Sequence, residues 1–251
     1  MRDLLDLTGK TAFVTGASSG LGAHFAQLLA KAGATVIIAA RREQALEAVA
    51  SQVRSTGGVC TVTALDISDA NSIAAAEPLL AGVDILINNA GIARESALLD
   101  HSEADWDAVV NTNVKGMFLL TQLAGKAMRA HGRGGSIINI ASILGLRQAA
   151  GVASYAVSKA AVIQLTKVAA LELARFGVRV NALAPGYIST ELNAAFWDTD
   201  AGKAMIKRIP QRRLGQPEEL DGPLLLLASD AGSYMTGTVL EVDGGHLVST
   251  L

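Results

Sequence analysis

The sequence predicts an α/β fold: one doubly wound, Rossmann-like domain over residues 1–251, a seven-stranded parallel sheet with helices on both faces. Three observations predict it. Short apolar runs alternate with longer segments of helical period along the whole chain. The short runs are rich in β-branched residues and apolar nearly throughout, as parallel strands covered on both faces must be. No internal repeat, low-complexity tract or linker-like stretch interrupts the pattern, so a length that could make two small domains reads as one.

Taken in order, the strand-like runs are Thr11–Thr15, Thr35–Ala40, Val59–Leu65, Asp84–Asn88, Ser136–Ala141, Val178–Leu183 and Val239–Val242. Between them a helical segment begins near Gly20 and stops at Gly33, where glycine ends a helix readily. Further helical segments run over Glu43–Ser55, Asn71–Leu80, Ser102–Ala130, Val152–Phe176 and Pro217–Ser229. Right-handed crossovers between such units give the doubly wound topology, whose ligands sit beyond the carboxyl ends of the strands.

Half the residues are hydrophobic and 18% are charged, which allows a sizeable core. The net charge is −2 and the Lys and Arg residues are scattered, so no stripe suited to a phosphate backbone is visible and nucleic acid is not the expected partner. The single cysteine, Cys60, rules out an intrachain disulfide framework and fits a reducing compartment. The stretch Met1–Lys10 carries Arg2, Asp3 and Asp6 among its leucines and does not read as a secretory signal. No apolar run approaches the roughly 18 residues of a membrane span. A cytoplasmic protein without a membrane partner is the expectation.

The first strand runs into Gly16-Ala17-Ser18-Ser19-Gly20-Leu21-Gly22 and then a helix. Glycines let backbone N–H groups approach a phosphate closely, and the helix start adds its positive dipole end. The spacing G-x-x-x-G-x-G differs from the common dinucleotide fingerprint, and a glycine-rich loop can be only a tight turn; its place between a buried strand and a helix favours a phosphate site. The second strand ends Ala39-Ala40-Arg41-Arg42, with no carboxylate before Glu43. NAD binders usually place Asp or Glu there, about 20 residues after the glycines, whereas NADP binders supply Arg. Two arginines at a helix start oppose its dipole and make sense if an anion such as a 2′-phosphate binds; the alternative is a solvated basic pair softened by Glu43.

In Ser154-Tyr155-Ala156-Val157-Ser158-Lys159, Tyr155 and Lys159 share a helical face one turn apart. A tyrosine titrates near about 10, and a neighbouring ammonium stabilises its phenolate, which is how a phenol becomes a general acid/base. The strand before it delivers Ser142 at its carboxyl end, Asn88-Asn89-Ala90-Gly91 follows another strand, and Asn111 and Asn113 lie inside a helical segment. Asparagine is unfavourable there and needs a reason: a side chain or backbone carbonyl holding a water, or an ordinary core hydrogen bond.

Together Thr15–Gly22, Asn88–Gly91, Ser142, Tyr155-x-x-x-Lys159, Pro185-Gly186 and Val242-Asp243-Gly244-Gly245 resemble the short-chain dehydrogenase/reductase family, in order and over nearly the full length. The resemblance implies an oxidoreductase, such as a carbonyl reductase or alcohol dehydrogenase, moving hydride between NADP(H) and a small carbonyl or secondary alcohol. It implies that Tyr155 exchanges the proton, Lys159 lowers its pKa and holds the nicotinamide ribose, Ser142 polarises the carbonyl, and Asn113 holds a water in the relay. Gly16, Ser18, Ser19, Gly20, Leu21 and Gly22 would cradle the pyrophosphate. Asp66 and Ile67 match adenine contacts, and Asn89, Ala90 and Gly91 a further cofactor contact. Pro185, Gly186, Ile188 and Thr190 match the carboxamide side. Arg41, with Arg42 beside it, stands one position past the usual acidic residue, which Ala40 fills. NADP(H) is therefore the expected cofactor, with NAD(H) possible.

His24, His101, His131 and His246 have no metal-ligand spacing and read mostly as surface or capping residues; no metal is expected. The first turn lacks the end of a P-loop, and Ser142 lacks a nucleophile elbow. Helix Ala156–Ala174 is apolar beyond one stripe, which suggests cover by the sheet and by a second subunit; relatives' habits imply a tetramer, otherwise a dimer. The stretch 187–213, with Phe196, Trp197, Met205 and Ile206, would fold over substrate, and with Ile143 and Leu144 suggests a partly apolar pocket. Arg147 could meet an acidic or polyol substrate or simply be solvated. A competing class is a catalytically silent cofactor-binding regulator or scaffold.

Overall fold

The computed structural model describes residues 4–191 and 194–249; Arg2 and Asp3, and two residues of the 187–213 stretch, Leu192 and Asn193, lie outside them. Strands form at Thr11–Thr15 (β1), Thr35–Ala40 (β2), Cys60–Ala64 (β3), Ile85–Asn88 (β4), Gly135–Ile140 (β5), Val178–Pro185 (β6) and Val239–Val242 (β7). They pair in one sheet in the order β3-β2-β1-β4-β5-β6-β7, every pairing parallel. Helices Gly20–Lys31 (α1), Glu43–Ser55 (α2), Ala70–Ala75 (α3), Glu77–Leu80 (α4), Glu103–Val110 (α5), Met117–His131 (α6), Ala153–Leu173 (α7), Ala194–Trp197 (α8), Asp200–Ile206 (α9) and Asp221–Ala228 (α10) account for the rest of the long-range order.

Alternation along β1 builds two cores. Val14 points with Phe25, Leu29, Val36, Leu46 and Leu224 to one face. Phe13 points with Leu86, Leu120, Met128, Ile137 and Val180 to the other. Each face is sealed, which is why β4 is buried at all four positions and why its sequence shows no polar alternation. After β3 the chain returns to lay β4 on the opposite side of β1, so a crevice opens between the carboxyl ends of β1 and β4.

The helices depart from the simple periodic reading at places with local causes. The expected Asn71–Leu80 helix is two short ones, because Pro78 near the start of α4 has no N–H to continue the ladder. The expected Ser102–Ala130 helix contains a widened π turn at Asn111–Gly116. Gly116 in that turn sits against the backbone of Ile67, where any Cβ would collide with the carbonyl. The long helix after Val152 tightens over Ala174–Phe176 and stops at Gly177, whose φ is 71°. Pro217–Leu220 is a separate tight turn before α10. α8 and α9 were not apparent from periodicity; α9 starts at Thr199, whose Oγ1 accepts from Gly202 N at 3.1 Å. Among the described residues no helix is long and apolar enough to cross a membrane.

Candidate active site

A cavity of about 870 Å³ runs across the carboxyl ends of β1, β2, β4, β5 and β6. Its first wall is the turn after β1. Gly16 adopts φ +65°, and a Cβ there would lie 2.8 Å from Ala90 Cα, so only glycine lets the turn meet the β4 loop this closely. Thr15 latches the two: its Oγ1 accepts from Asn89 N at 3.0 Å and from Ala90 N at 3.1 Å. Asn89 Nδ2 returns the tie by donating to Thr15 O at 3.0 Å and Gly16 O at 3.3 Å. Ser18, Ser19, Gly20 and Leu21 line the cavity at the start of α1, where Ser19 makes no side-chain cap, leaving helix-start amides directed outward. Gly22 does not line it. A Cβ there would run into Gly16 O, so this glycine lets α1 pack on the turn instead.

The two arginines after β2 differ. Arg42 Nη2 donates to Ser18 Oγ at 3.0 Å and Ser19 Oγ at 3.1 Å, bracing the glycine turn from the neighbouring strand. Arg41 is exposed at the cavity edge, its guanidinium without a hydrogen-bond partner among the described residues. Across from it, Asp66 Oδ1 accepts from Ser68 Oγ at 2.6 Å and Ser68 N at 2.9 Å. The Ser68 hydroxyl bond holds the Asp66 carboxyl below its ordinary range, against a smaller opposing effect of burial, and the charge of Arg41 adds to the lowering. Ile67, Ala90 and Gly91 complete this half.

The other half is built by β5, α7 and the end of β6. Ser142 follows β5, and its Oγ accepts from Leu144 N at 3.1 Å, which fixes the short turn Ile143–Gly145. Tyr155 and Lys159 face the same cavity. Lys159 is 3% exposed, donates from Nζ to Ile140 O at 2.7 Å and lies 5.5 Å from the Tyr155 ring centroid. Burial lowers its pKa from the ordinary 10.5 to about 8. Burial raises Tyr155; the nearby Ser142 hydroxyl pulls the other way, and Tyr187 adds to the rise. No effect of Lys159 offsets the burial of Tyr155. Desolvation dominates both groups and favours phenol and amine over phenolate and ammonium.

Asn113 lies behind this wall rather than in it. Its Oδ1 accepts from Ile92 N at 2.8 Å, while Nδ2 donates to Ile92 O at 2.9 Å and Ser158 Oγ at 3.0 Å. The side chain is thus tied into core hydrogen bonds. Pro185, Gly186, Ile188 and Thr190 line the cavity. Gly186, just past β6, lets the chain close on Asp243: a Cβ there would lie 2.7 Å from Asp243 Cα. Gly215 N donates to Tyr187 O at 2.9 Å and Ser189 N to Gly215 O at 2.8 Å, so this stretch is held like a short strand.

Several lining residues escaped sequence reasoning: Arg94 on the loop after β4, and Ala108 and Thr112, which α5 and the π turn bring to the cavity. Arg94 Nε pairs with Asp105 at 3.3 Å. His246 also departs from a surface reading: it is 5% exposed and its ring stands 5.4 Å from that of Tyr187. His24 meets Asp221 at 2.6 Å, and His131 Nδ1 accepts from Arg133 N at 3.2 Å.

A family model described as Enoyl-(Acyl carrier protein) reductase matches residues 16–246. The 3-oxoacyl-[acyl-carrier-protein] reductase of Thermotoga maritima is 39% identical over 96% of this chain and 99% of its own length. A short-chain type dehydrogenase/reductase from Mycobacterium marinum is 42% identical with a TM-score of 0.91, covering 97% of this chain and 98% of that one. A gluconate 5-dehydrogenase from Burkholderia cenocepacia, solved with NADP and tartrate, is 37% identical with a TM-score of 0.94, covering 99% of both chains.

The buried Lys159 sets a pH signature. Its folded pKa, about 8, is below the ordinary 10.5, so between these values the unfolded chain binds more protons and stability rises with pH. The penalty is largest below about pH 8 and fades toward 10.5. Raising the pH from 7.5 to 9.5 should stabilise the cofactor-free wild type by about 2 kcal/mol relative to Lys159→Met. Urea titrations of both proteins at both pH values check this; parallel pH dependences would contradict it.

Proposed function

The chain belongs to the short-chain dehydrogenase/reductase family, and from that premise we propose that it interconverts a carbonyl and a secondary alcohol on a small polyhydroxylated acid, with NADP(H) as partner and Tyr155 moving the proton. The observation that carries the reading is one cavity lined at one end by the glycine turn and Arg41 and at the other by Ser142, Tyr155 and Lys159. Its volume suits a dinucleotide with a small substrate rather than a substrate alone. The free guanidinium of Arg41 and the uncapped start of α1 fit a phosphorylated dinucleotide: charge for a 2′-phosphate, amides for the pyrophosphate.

When bound, NADP(H) supplies or accepts the hydride. The chain's own residues do the rest. Ser142 offers its hydroxyl to the substrate oxygen and, with Tyr155, orients it. Tyr155, kept in the phenol form by burial, carries a proton to that oxygen as it gains charge, and takes it back in the reverse direction. Lys159, one turn along α7, stabilises the phenolate once protonated and anchors the ribose hydroxyls. The carbonyl of Asn113 carries the relay water, since its side chain is committed to Ile92 and Ser158. Residues 1–251 act as one dinucleotide-binding and catalytic domain, with 187–213 folding over substrate. The solved relative that carries NADP and tartrate supports the acid class. A silent scaffold of the same fold draws no support, because every side chain the reaction asks for is present. A carbonyl reductase of this kind working in the cytosol would keep the buried Cys60 thiol reduced.

Exposed apolar residues on α6 and α7, namely Phe118, Val157, Val168 and Leu171, with Leu171 82% exposed, support a homotetramer. Light scattering should give about four times the 25.9 kDa chain mass; a lone monomer at micromolar concentration would refute it.

Two substitutions test the site. Tyr155→Phe should keep NADPH binding, followed by fluorescence, while turnover falls by about three orders of magnitude or more; a variant retaining most activity would remove the assigned role. Arg41→Ala should weaken NADPH by about 10- to 100-fold and NADH far less. Equal losses in both affinities, measured by titration, would remove the argument for the 2′-phosphate.

A further inference from the structure

Four buried polar side chains form a ladder across β4 and β5. Asn88 closes β4 and Asn139 stands beside it in β5, the two being direct partners in the parallel register. Asn88 Nδ2 donates to Thr121 Oγ1 of α6 at 3.0 Å and to Asn139 Oδ1 at 2.9 Å. Asn139 Nδ2 donates to Thr166 Oγ1 of α7 at 2.9 Å, and Thr166 Oγ1 donates in turn to Val162 O at 2.8 Å. Thr121 is 4% exposed and the other three are fully enclosed.

Such rungs add little net stability, since each bond replaces one to water. Asn88 Oδ1 even lacks a partner among the described residues, which is a cost. What the rungs add is direction: apolar side chains can slip past one another, whereas a buried hydrogen bond to a fixed strand holds one register.

The ladder ends beside the support of the Lys159 amine. Asn139 precedes Ile140, whose carbonyl accepts from Lys159 Nζ at 2.7 Å. Thr166 lies two helical turns past Lys159 on the same buried face. Among the described residues these two side-chain hydrogen bonds are what tie α7 to β5, and they land on adjacent strand residues. The rest of that face is Val162, Ile163, Ala169 and Ala170, which are buried without direction. The long stem of Lys159 can follow a helix that drifts; the short Thr166 rung cannot.

We propose that Asn139 and Thr166 are positioning residues that pin α7 on β5 at the depth where the Lys159 amine is kept dry and aimed at Ile140, one turn from Tyr155. Their use in turnover rests on the reading of Lys159 as the partner of Tyr155; the placement rests on the hydrogen bonds alone.

The test is a mutant cycle on the full-length, cofactor-free protein, with unfolding equilibrium constants read from urea titrations at pH 7.5 and 9.5. Lys159 titrates at about 8 when folded against an ordinary 10.5. Relative to Lys159→Met, the wild-type constant should therefore fall about 20-fold between the two pH values. Tyr155, whose ring centroid is 5.5 Å from the amine, is common to every arm. Thr166→Val, nearly the same shape, removes the rung; water then reaches the amine, it titrates nearer its ordinary value, and the dependence should shrink to about 4-fold. Thr166→Ser keeps the hydroxyl and should keep the dependence. Thr121→Val cuts the ladder at its α6 end and should destabilise equally at both pH values. A dependence that survives in Thr166→Val, is lost equally in Thr121→Val or is missing from the wild type would overturn the proposal and leave the ladder as reinforcement of the sheet. Should Thr166→Val not fold, Thr166→Ala is read in the same cycle by the same outcomes. The chemistry is judged apart from this: turnover that survives Lys159→Met would end the reading of the amine, while the cycle still decides the placement.

Discussion

The arrangement depends on bringing the amine of Lys159 into a place that excludes water. Among the described residues its hydrogen-bond acceptor is the carbonyl of Ile140, at the last residue of β5. To reach it, α7 must lie close against β5 and β6, and the turn after Ser142 must press on the helix backbone. Gly145 permits this, since a Cβ there would sit 2.7 Å from the Lys159 carbonyl carbon. The contact fixes Ser142, Tyr155 and Lys159 relative to one another through main chain rather than through long side chains. It costs the fold a desolvated cation, which the two sealed cores must offset.

The sheet was legible in the sequence because its strands are apolar and β-branched, the central ones being buried on both faces. Runs such as Thr11–Thr15, Thr35–Ala40 and Val239–Val242 end where apolar, β-branched character ends, and the structure ends them at the same residues. The helices were less legible at their interruptions. Nothing in Asn111–Gly116 announces a π turn, since its cause is the approach of Ile67 to Gly116 from another part of the chain. Pro78 did announce the break before α4, but a continuous period masked it. The cap at Thr199 lies in a stretch whose apolar residues read as a cover over substrate rather than as helix, and Gln216 stands just before the segment Pro217–Ser229, which read as one helix.

For the site, motif residues were readable because each sits at a strand end, where the topology gathers them. What each one does was less readable. Gly22 and Asn113 belong to the motifs yet serve packing, one under Gly16 and the other behind Gly91. Arg41 and Arg42 are neighbours of the same type, and only the fold separates a free guanidinium from a tethered one. Residues such as Ala108 and Thr112 carry no chemical signal at all; a helix crossing the mouth brings them there.

The bonds from Arg42 to Ser18 and Ser19 also restrain the glycine turn. They join the end of β2 to the loop after β1 before anything enters the groove. A loop with three glycines would otherwise sample many shapes, and an incoming ligand would have to freeze it. With the loop already restrained, that entropic toll falls on folding instead of on association. Affinity at this end of the groove is therefore set partly by rigidity, gained without a single additional contact to what binds.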